Sequence, residues 1–261
     1  MKMSGNTVLI TGGSSGIGLE LARRLVALGN VVIVTGRDAE KLEKARRLHS
    51  QIHTIQSDAA DPEAVVNLLQ TVTGQFPALN VLVNNAGIMR KINLHEPIPD
   101  VYDITREIDI NLAAPIRMVK QFLPHLKRQR SAAIVNVSSG LAFVPFAISP
   151  VYSATKAAIH SFTQSLRIQL KNTPIKVFEL AAPATDTPLF RGDFTADDVK
   201  GVTPMDVATL GKHAIAGLTK DVYEIRPGLA NALKLMSRVA PQFILKQLSK
   251  SADDMLGQSK A

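Results

Sequence analysis

Short apolar runs alternate along this chain with longer segments whose apolar positions recur every three or four residues. The runs are "TVLIT" (7–11), "VVIVT" (31–35), "IHTIQS" (52–57), "NVLVNN" (80–85), "AAIVNVS" (132–138) and "IKVFELA" (175–181). Rich in Val and Ile, they read as strands buried on both faces, as parallel strands are. Residues 17–28, 39–48, 62–74, 101–127 and 152–170 carry the helical period. Asp61 stands where an N-cap is expected, and Pro62 at the first helical position. Strand and helix alternating in this way predict right-handed βαβ units and an α/β fold with one doubly wound parallel sheet. No Gly/Ser-rich linker and no fixed short repeat interrupts the pattern, so residues 1–261 read as one domain. Residues 228–261 form a C-terminal helical extension of it.

Composition narrows the function classes. Nearly half of the 261 residues are apolar, enough for a sizeable core. There is no cysteine, which excludes disulfides and thiolate metal sites and fits a cytoplasmic location. His49, His53, His95, His125, His160 and His213 show no zinc-ligand spacing, so no metal is expected and they read as surface or packing residues. The net charge is +8. No basic run interleaved with aromatics accompanies it, so nucleic acid is not an expected partner. No run is long enough to span a bilayer, and the first apolar run is too short for a signal peptide.

"TGGSSGIG" (11–18) follows the first strand and opens the first helix. Gly12, Gly16 and Gly18 allow a tight turn and close approach to a ligand. The helix N-terminus behind them offers N–H groups and partial positive charge to a diphosphate. The spacing is G-x3-G-x-G, and a plain strand–helix turn is the alternative. At the end of the second strand, where many NAD-binding folds carry an acid, stand Gly36 and Arg37. An arginine favours a 2′-phosphate, so NADP(H) is preferred and NAD(H) remains compatible. Asp58, closing the third strand, either reaches an adenine amino group or caps its own turn.

Tyr152 and Lys156 lie four residues apart, on one face of a helix. A free phenol has a pKa of roughly 10, and a neighbouring ammonium lowers it toward neutrality. Alone, the pair would be surface decoration. Here it joins "TGGSSGIG", "NNAG" (84–87), Asn111 in "DINLAA", Ser139 in "NVSSG" and "YSATK" (152–156). In that order and spacing the chain resembles the short-chain dehydrogenases/reductases over roughly residues 5–190. The "ATDTP" stretch and the tail "YEIRPG…LMSRVAP" resemble the DltE-type oxidoreductases within that family.

The resemblance implies a Rossmann-like NAD(P)(H)-dependent oxidoreductase, a homodimer or homotetramer acting on a small carbonyl or alcohol. It implies that Tyr152 exchanges the proton and that Ser139 bonds the reacting oxygen. Lys156 would tune the phenol and bond the nicotinamide ribose. Asn111 would hold a water linking Lys156 to solvent. Cofactor contacts would come from Gly12, Ser14, Ser15, Gly16, Ile17 and Gly18, and from Arg37, Asp58 and Ala59. Asn85, Ala86, Gly87, Tyr152 and Lys156 would add to them, as would Pro183, Thr185 and Thr187. One departure is Ala184, where the family carries glycine after the proline.

Met89, Leu141, Phe143, Phe146, Leu189 and Phe190 are candidates for an apolar substrate wall, or for core. Arg90 and Lys91 either meet an anionic group or sit in a solvated loop. The tail reads as two helices broken at Pro241. Leu229, Leu233 and Met236 share one face of the first, and Lys234 and Arg238 the other. In the second, Ile244, Leu245 and Leu248 oppose Lys246 and Lys250. Packing on the domain or a partner subunit is preferred to an anionic membrane surface. Two other functions compete with the reductase. A non-catalytic NADP(H)-binding regulator would have no need of the four-residue acid set. A sugar-nucleotide epimerase would use a different glycine spacing.

Overall fold

A computed structural model describes residues 1–97 and 100–258. Its strands are β1 (Thr7–Thr11), β2 (Val31–Gly36), β3 (Ile52–Gln56), β4 (Leu79–Asn84), β5 (Ala132–Ser139), β6 (Ile175–Ala182) and β7 (Glu224–Ile225). They form one sheet in the order β3-β2-β1-β4-β5-β6-β7, every pair parallel. The chain runs outward from β1 to β3, then returns to place β4 on the other side of β1. That reversal leaves a crevice beyond the carboxyl ends of β1 and β4, where open α/β sheets bind ligands.

Alternation along each strand divides the core between the two faces. Val8 and Ile10 pack with Leu21 and Leu25 of α1 (Gly16–Ala27) and with Leu42 of α2 (Ala39–Leu48). Leu9, Ile33, Leu82 and Ile134 face the other way, onto Leu68 and Val72 of α3 (Pro62–Gln75). The expected cap of α3 is present: Asp61 accepts from the Glu63 N–H at 2.9 Å, with Pro62 following.

The helix expected over 101–127 is not continuous. A 3₁₀ turn (Asp103–Thr105) leads into a single α-turn, α4 (Arg106–Ile108), and a π-turn (Asp109–Ala113). Only then does α5 (Ala114–Lys127) begin. π-turns insert one residue and concentrate at functional sites, and this one holds Asn111. Met118, Phe122 and Leu126 of α5 fill the same core layer as α3, joined by Leu166 of α6 (Pro150–Gln169).

Residues 190–227 carried no expected element, yet they form α7 (Val207–Thr219) and the short β7. The signal for α7 was present in the sequence. Asp206 caps it by accepting from the Thr209 N–H at 2.8 Å, and Leu210, Ala214 and Leu218 follow at helical spacing. β7, two residues long, has no pattern of its own.

The tail folds as α8 (Leu229–Val239), α9 (Pro241–Leu248) and α10 (Lys250–Gln258), with the break at Pro241 as expected. Ala230 and Leu233 are buried. Lys234 departs from its expected place on the outer face. It is turned inward, ion-paired with Glu224 and lying 5.2 Å from the Phe143 ring centroid. Among the described residues no helix is long and apolar enough to cross a membrane.

Candidate active site

The loop after β1 is built so that two backbones nearly touch. Gly12 has φ +64°, and a Cβ there would stand 2.7 Å from Ala86 Cα. A Cβ on Gly18 would fall 2.5 Å from both the Asn85 amide nitrogen and the Gly12 carbonyl oxygen. Asn85 fastens this contact, its Nδ2 donating to the carbonyls of Thr11 (3.0 Å) and Gly12 (2.9 Å). The Thr11 hydroxyl accepts in turn from the N–H groups of Asn85 and Ala86. The Asn85 side chain is therefore a clamp on the glycine loop.

α1 begins in the crevice with no side-chain cap and no acid in its first turn, although Ser15 occupies the N-cap position. Uncapped N–H groups and the helix dipole there suit an anionic group such as a diphosphate. A dinucleotide also fits the rest of the groove. The cleft holds about 410 Å³, and Ser14, Ser15, Gly16, Ile17, Arg37 and Asp58 are among its lining. Ala59, Ala86, Gly87, Pro183, Thr185 and Thr187 line it too. Ser57, also in the wall, has a buried hydroxyl with no hydrogen-bond partner among the described residues. Exposed Arg37 shares the lining with Lys41 and Asp38, which the sequence pattern did not single out and which pair with each other at 3.3 Å. Asp58 caps its own turn, one carboxylate oxygen accepting from the Ala60 N–H at 2.9 Å.

Three of the four acid–base candidates, Ser139, Tyr152 and Lys156, line this cleft, and Asn111 lies next to Gly87 of its wall. Ser139 ends β5, and Tyr152 and Lys156 stand on successive turns of α6. All three are buried, and Asn111 is 1 % exposed. The Lys156 ammonium donates to the Val137 carbonyl at 3.0 Å and lies 5.4 Å from the Tyr152 ring centroid. The Ser139 hydroxyl accepts from the Leu141 N–H at 3.1 Å, so it also shapes its turn. Asn111 is held by three hydrogen bonds: its Oδ1 accepts from Ile88 N, and its Nδ2 donates to Ile88 O, both at 2.9 Å, and to Thr155 Oγ1 at 3.2 Å. A side chain on Gly87 would push against Asn111 Oδ1, 3.2 Å away, with Lys156 Nζ next at 3.8 Å.

The protonation energetics differ from the expectation. Burial pushes the Tyr152 phenol up to about 12, the Ser139 hydrogen bond pulling it back and the Glu107 charge adding to the rise. Burial pushes Lys156 down to about 8, opposed by the negative charge of Glu179. Removal from water is the largest cause of both shifts in the protein alone.

The sequence model for the short chain dehydrogenase family matches residues 6–198. The chain belongs to the short-chain dehydrogenase family. It is 42 % identical to the uncharacterized oxidoreductase DltE of Bacillus subtilis (strain 168) over 251 residues, 95 % of this chain and 98 % of that protein. This places it in the DltE-type group. A short-chain dehydrogenase from Burkholderia cenocepacia J2315, solved in complex with NADP, superposes with a TM-score of 0.80 at 23 % identity, over 95 % of this chain and 99 % of the other. One from Burkholderia phymatum, in complex with NAD, gives 0.78 at 19 %, over 90 % and 94 %.

Ala184 replaces the expected glycine, and its carbonyl accepts from Met205 N at 2.8 Å while Thr185 bridges to Met205. Thr187 then packs against Gly16, its Cγ2 3.3 Å from where a Cβ would be, and its hydroxyl donates to Thr185 O at 3.2 Å. The apolar side of the cleft contains Met89, Leu141, Phe146, Leu189 and Phe190, joined by Leu229, Leu233 and Leu248 of the tail. Phe143 does not line it; its ring meets the His160 ring edge-on at 5.0 Å. Arg90 and Lys91 are ion-paired, with Asp103 and Glu107 and with Asp198 respectively.

Proposed function

We propose that this protein interconverts an apolar, uncharged carbonyl compound and its alcohol, using NADP(H). The observation that carries the reading is the convergence of Ser139, Tyr152 and Lys156, all buried, at the floor of a cleft whose rim is an uncapped helix N-terminus. When bound, the nicotinamide would supply or accept hydride at the carbonyl carbon. The chain's residues manage the oxygen. Ser139 and Tyr152 bond it, and Tyr152 donates the proton in the reductive direction. A phenol held near 12 is protonated at neutral pH, so the donor is loaded before the substrate arrives. Lys156 supports the phenolate left behind and would hold the cofactor ribose. With its side chain committed to Ile88 and Thr155, Asn111 serves the proton path through its backbone in the π-turn.

Arg37 supports the choice of NADP(H), since it faces the groove with no acid at position 36. Among the described residues the substrate side of the wall carries no charged side chain apart from Lys156, which supports a neutral, apolar substrate. The test is Tyr152→Phe, which removes one oxygen from a buried ring. NADPH affinity should stay within about twofold, while reduction of a panel of aliphatic and aromatic aldehydes and ketones falls by roughly 10²–10⁴-fold. Near-wild-type turnover in this variant would overturn the assignment of the acid.

A further inference from the structure

Tyr152, Lys156, His160 and Gln164 stand at four-residue spacing along α6, one below the other. The first two belong to the proposed chemistry. The third meets a carboxylate that the chemistry leaves unused. Glu179, at the middle of β6, is wholly buried. One of its oxygens accepts from the Ser138 hydroxyl at 2.5 Å, next to Ser139 in β5. The other lies 2.8 Å from His160 Nδ1. His160 Nε2 lies 2.6 Å from the Gln164 amide nitrogen. With Nδ1–H donating to the carboxylate and Nε2 accepting from Gln164, the imidazole is fixed at both ends, and the Phe143 ring closes its flank.

A buried carboxylate needs a counter-charge. Glu224, its register partner on β7, is itself negative and already holds Arg226 at 2.7 Å and Lys234. His160, Glu179 and Glu224 bring ligand atoms within 4.8 Å of one another. A metal ion there would have to displace the Lys234 ammonium, so these cations already fill that role for Glu224. One turn above His160 on α6 stands the Lys156 ammonium, anchored on the carbonyl of Val137, whose register partner on β6 is Leu180, the residue after Glu179.

We propose that Glu179 is a positioning residue for the acid–base pair, its carboxylate holding Lys156 as an ammonium beside Tyr152 while Ser138 and His160 fix its orientation. The proposal rests on the Tyr152–Lys156 reading above and extends it to a second layer. Burial alone drives Lys156 toward the neutral amine, which would neither support a phenolate nor bond a ribose as a cation. The Glu179 charge opposes that drift. Glu179 is wholly buried and not among the cleft-lining residues, so it acts without competing for the reacting oxygen.

The test is a graded series at one position: Glu179, Glu179→Asp and Glu179→Gln. Full-length protein carries lysine labelled with ¹³C at Cε, and Lys156→Arg identifies the Lys156 resonance by its loss. The wild-type midpoint is expected near 8. In Glu179→Gln it should fall by about one pH unit, and in Glu179→Asp by less. The pH profile of NADPH-dependent reduction of an aliphatic aldehyde should move in the same direction. His160→Asn keeps the carboxylate charge, so its Lys156 midpoint should stay above that of Glu179→Gln. If the midpoint of folded Glu179→Gln equals that of wild type, the proposal is overturned. If that variant does not fold, Glu179→Asp carries the same criterion. If the midpoint moves but the wild type reduces no carbonyl, the proposed function fails and the electrostatic coupling stands.

Discussion

Shortening Leu233 to alanine should loosen the helix that roofs the substrate side. Leu233 is 4 % exposed, and its Cδ1 lies 3.0 Å from where a Cβ on Gly140 would be. Three carbons are removed, at about 0.8 kcal/mol each, or roughly 2.4 kcal/mol of lost transfer energy. Leucine-to-alanine changes in sealed cores cost about 2–5 kcal/mol, because a cavity remains. Here the space opens into the cleft, so a value of about 2–3 kcal/mol is expected. For a chain of this size that lowers the melting temperature by roughly 4–10 °C. Gly140→Ala attacks the same contact from below, and Ala230 Cα, 3.3 Å from the new Cβ, leaves little room to relax. The decisive measurement is the double variant. With Leu233 shortened, the alanine at 140 meets one obstacle fewer, so its cost should drop by about 0.5 kcal/mol or more. Denaturant unfolding of wild type, both single variants and the double gives the cycle, and NADPH affinity should be unchanged throughout. Strict additivity, or a Leu233→Ala cost below about 0.5 kcal/mol, would refute this seating of α8.

Three further expectations follow from particular groups. Arg37→Ala should weaken NADPH by about 1–3 kcal/mol and NADH hardly at all, as read by titration of both cofactors; equal losses would remove the 2′-phosphate assignment. Lys156 is lowered from 10.5 to about 8 on folding, so between those values the unfolded chain binds the extra proton. Wild-type stability relative to Lys156→Met should therefore rise with pH across that window; a flat or falling difference would contradict the burial of the charge. Ending the chain after Pro227 removes Leu229, Leu233 and Leu248 from the cleft wall, and should both lower the melting temperature and raise KM for an apolar carbonyl. Unchanged values of both, accompanied by loss of binding to anionic vesicles, would favour a membrane role for the tail.

The strands, the glycine turn and the Asp61–Pro62 helix start were legible in the sequence because each depends on neighbours a few residues away. A buried parallel strand needs only a short run of Val and Ile, and a tight turn needs only its glycines. The spacing of Tyr152 and Lys156 placed both on one face, since a helix fixes that geometry locally. Their energetics were not legible. The direction of the phenol's shift depends on how far residues distant in sequence remove it from water, and four-residue spacing is silent on that. The π-turn at Asn111 was hidden for a related reason. A single inserted residue leaves the apolar period almost intact, and the turn is fixed by Ile88 and Thr155, which bind the asparagine from other elements. Glu179 interrupts an apolar run, and only the tertiary structure shows why: the sheet sets it beside Ser138 and α6 brings His160 over it. Lys234 read as the outer face of an amphipathic helix, and only the docking of α8 against β7 and Phe143 turned it inward. Local pattern determined the elements and the chemistry they carry. The charge state of that chemistry, and the wall that selects its substrate, were decided by contacts between residues far apart in the chain.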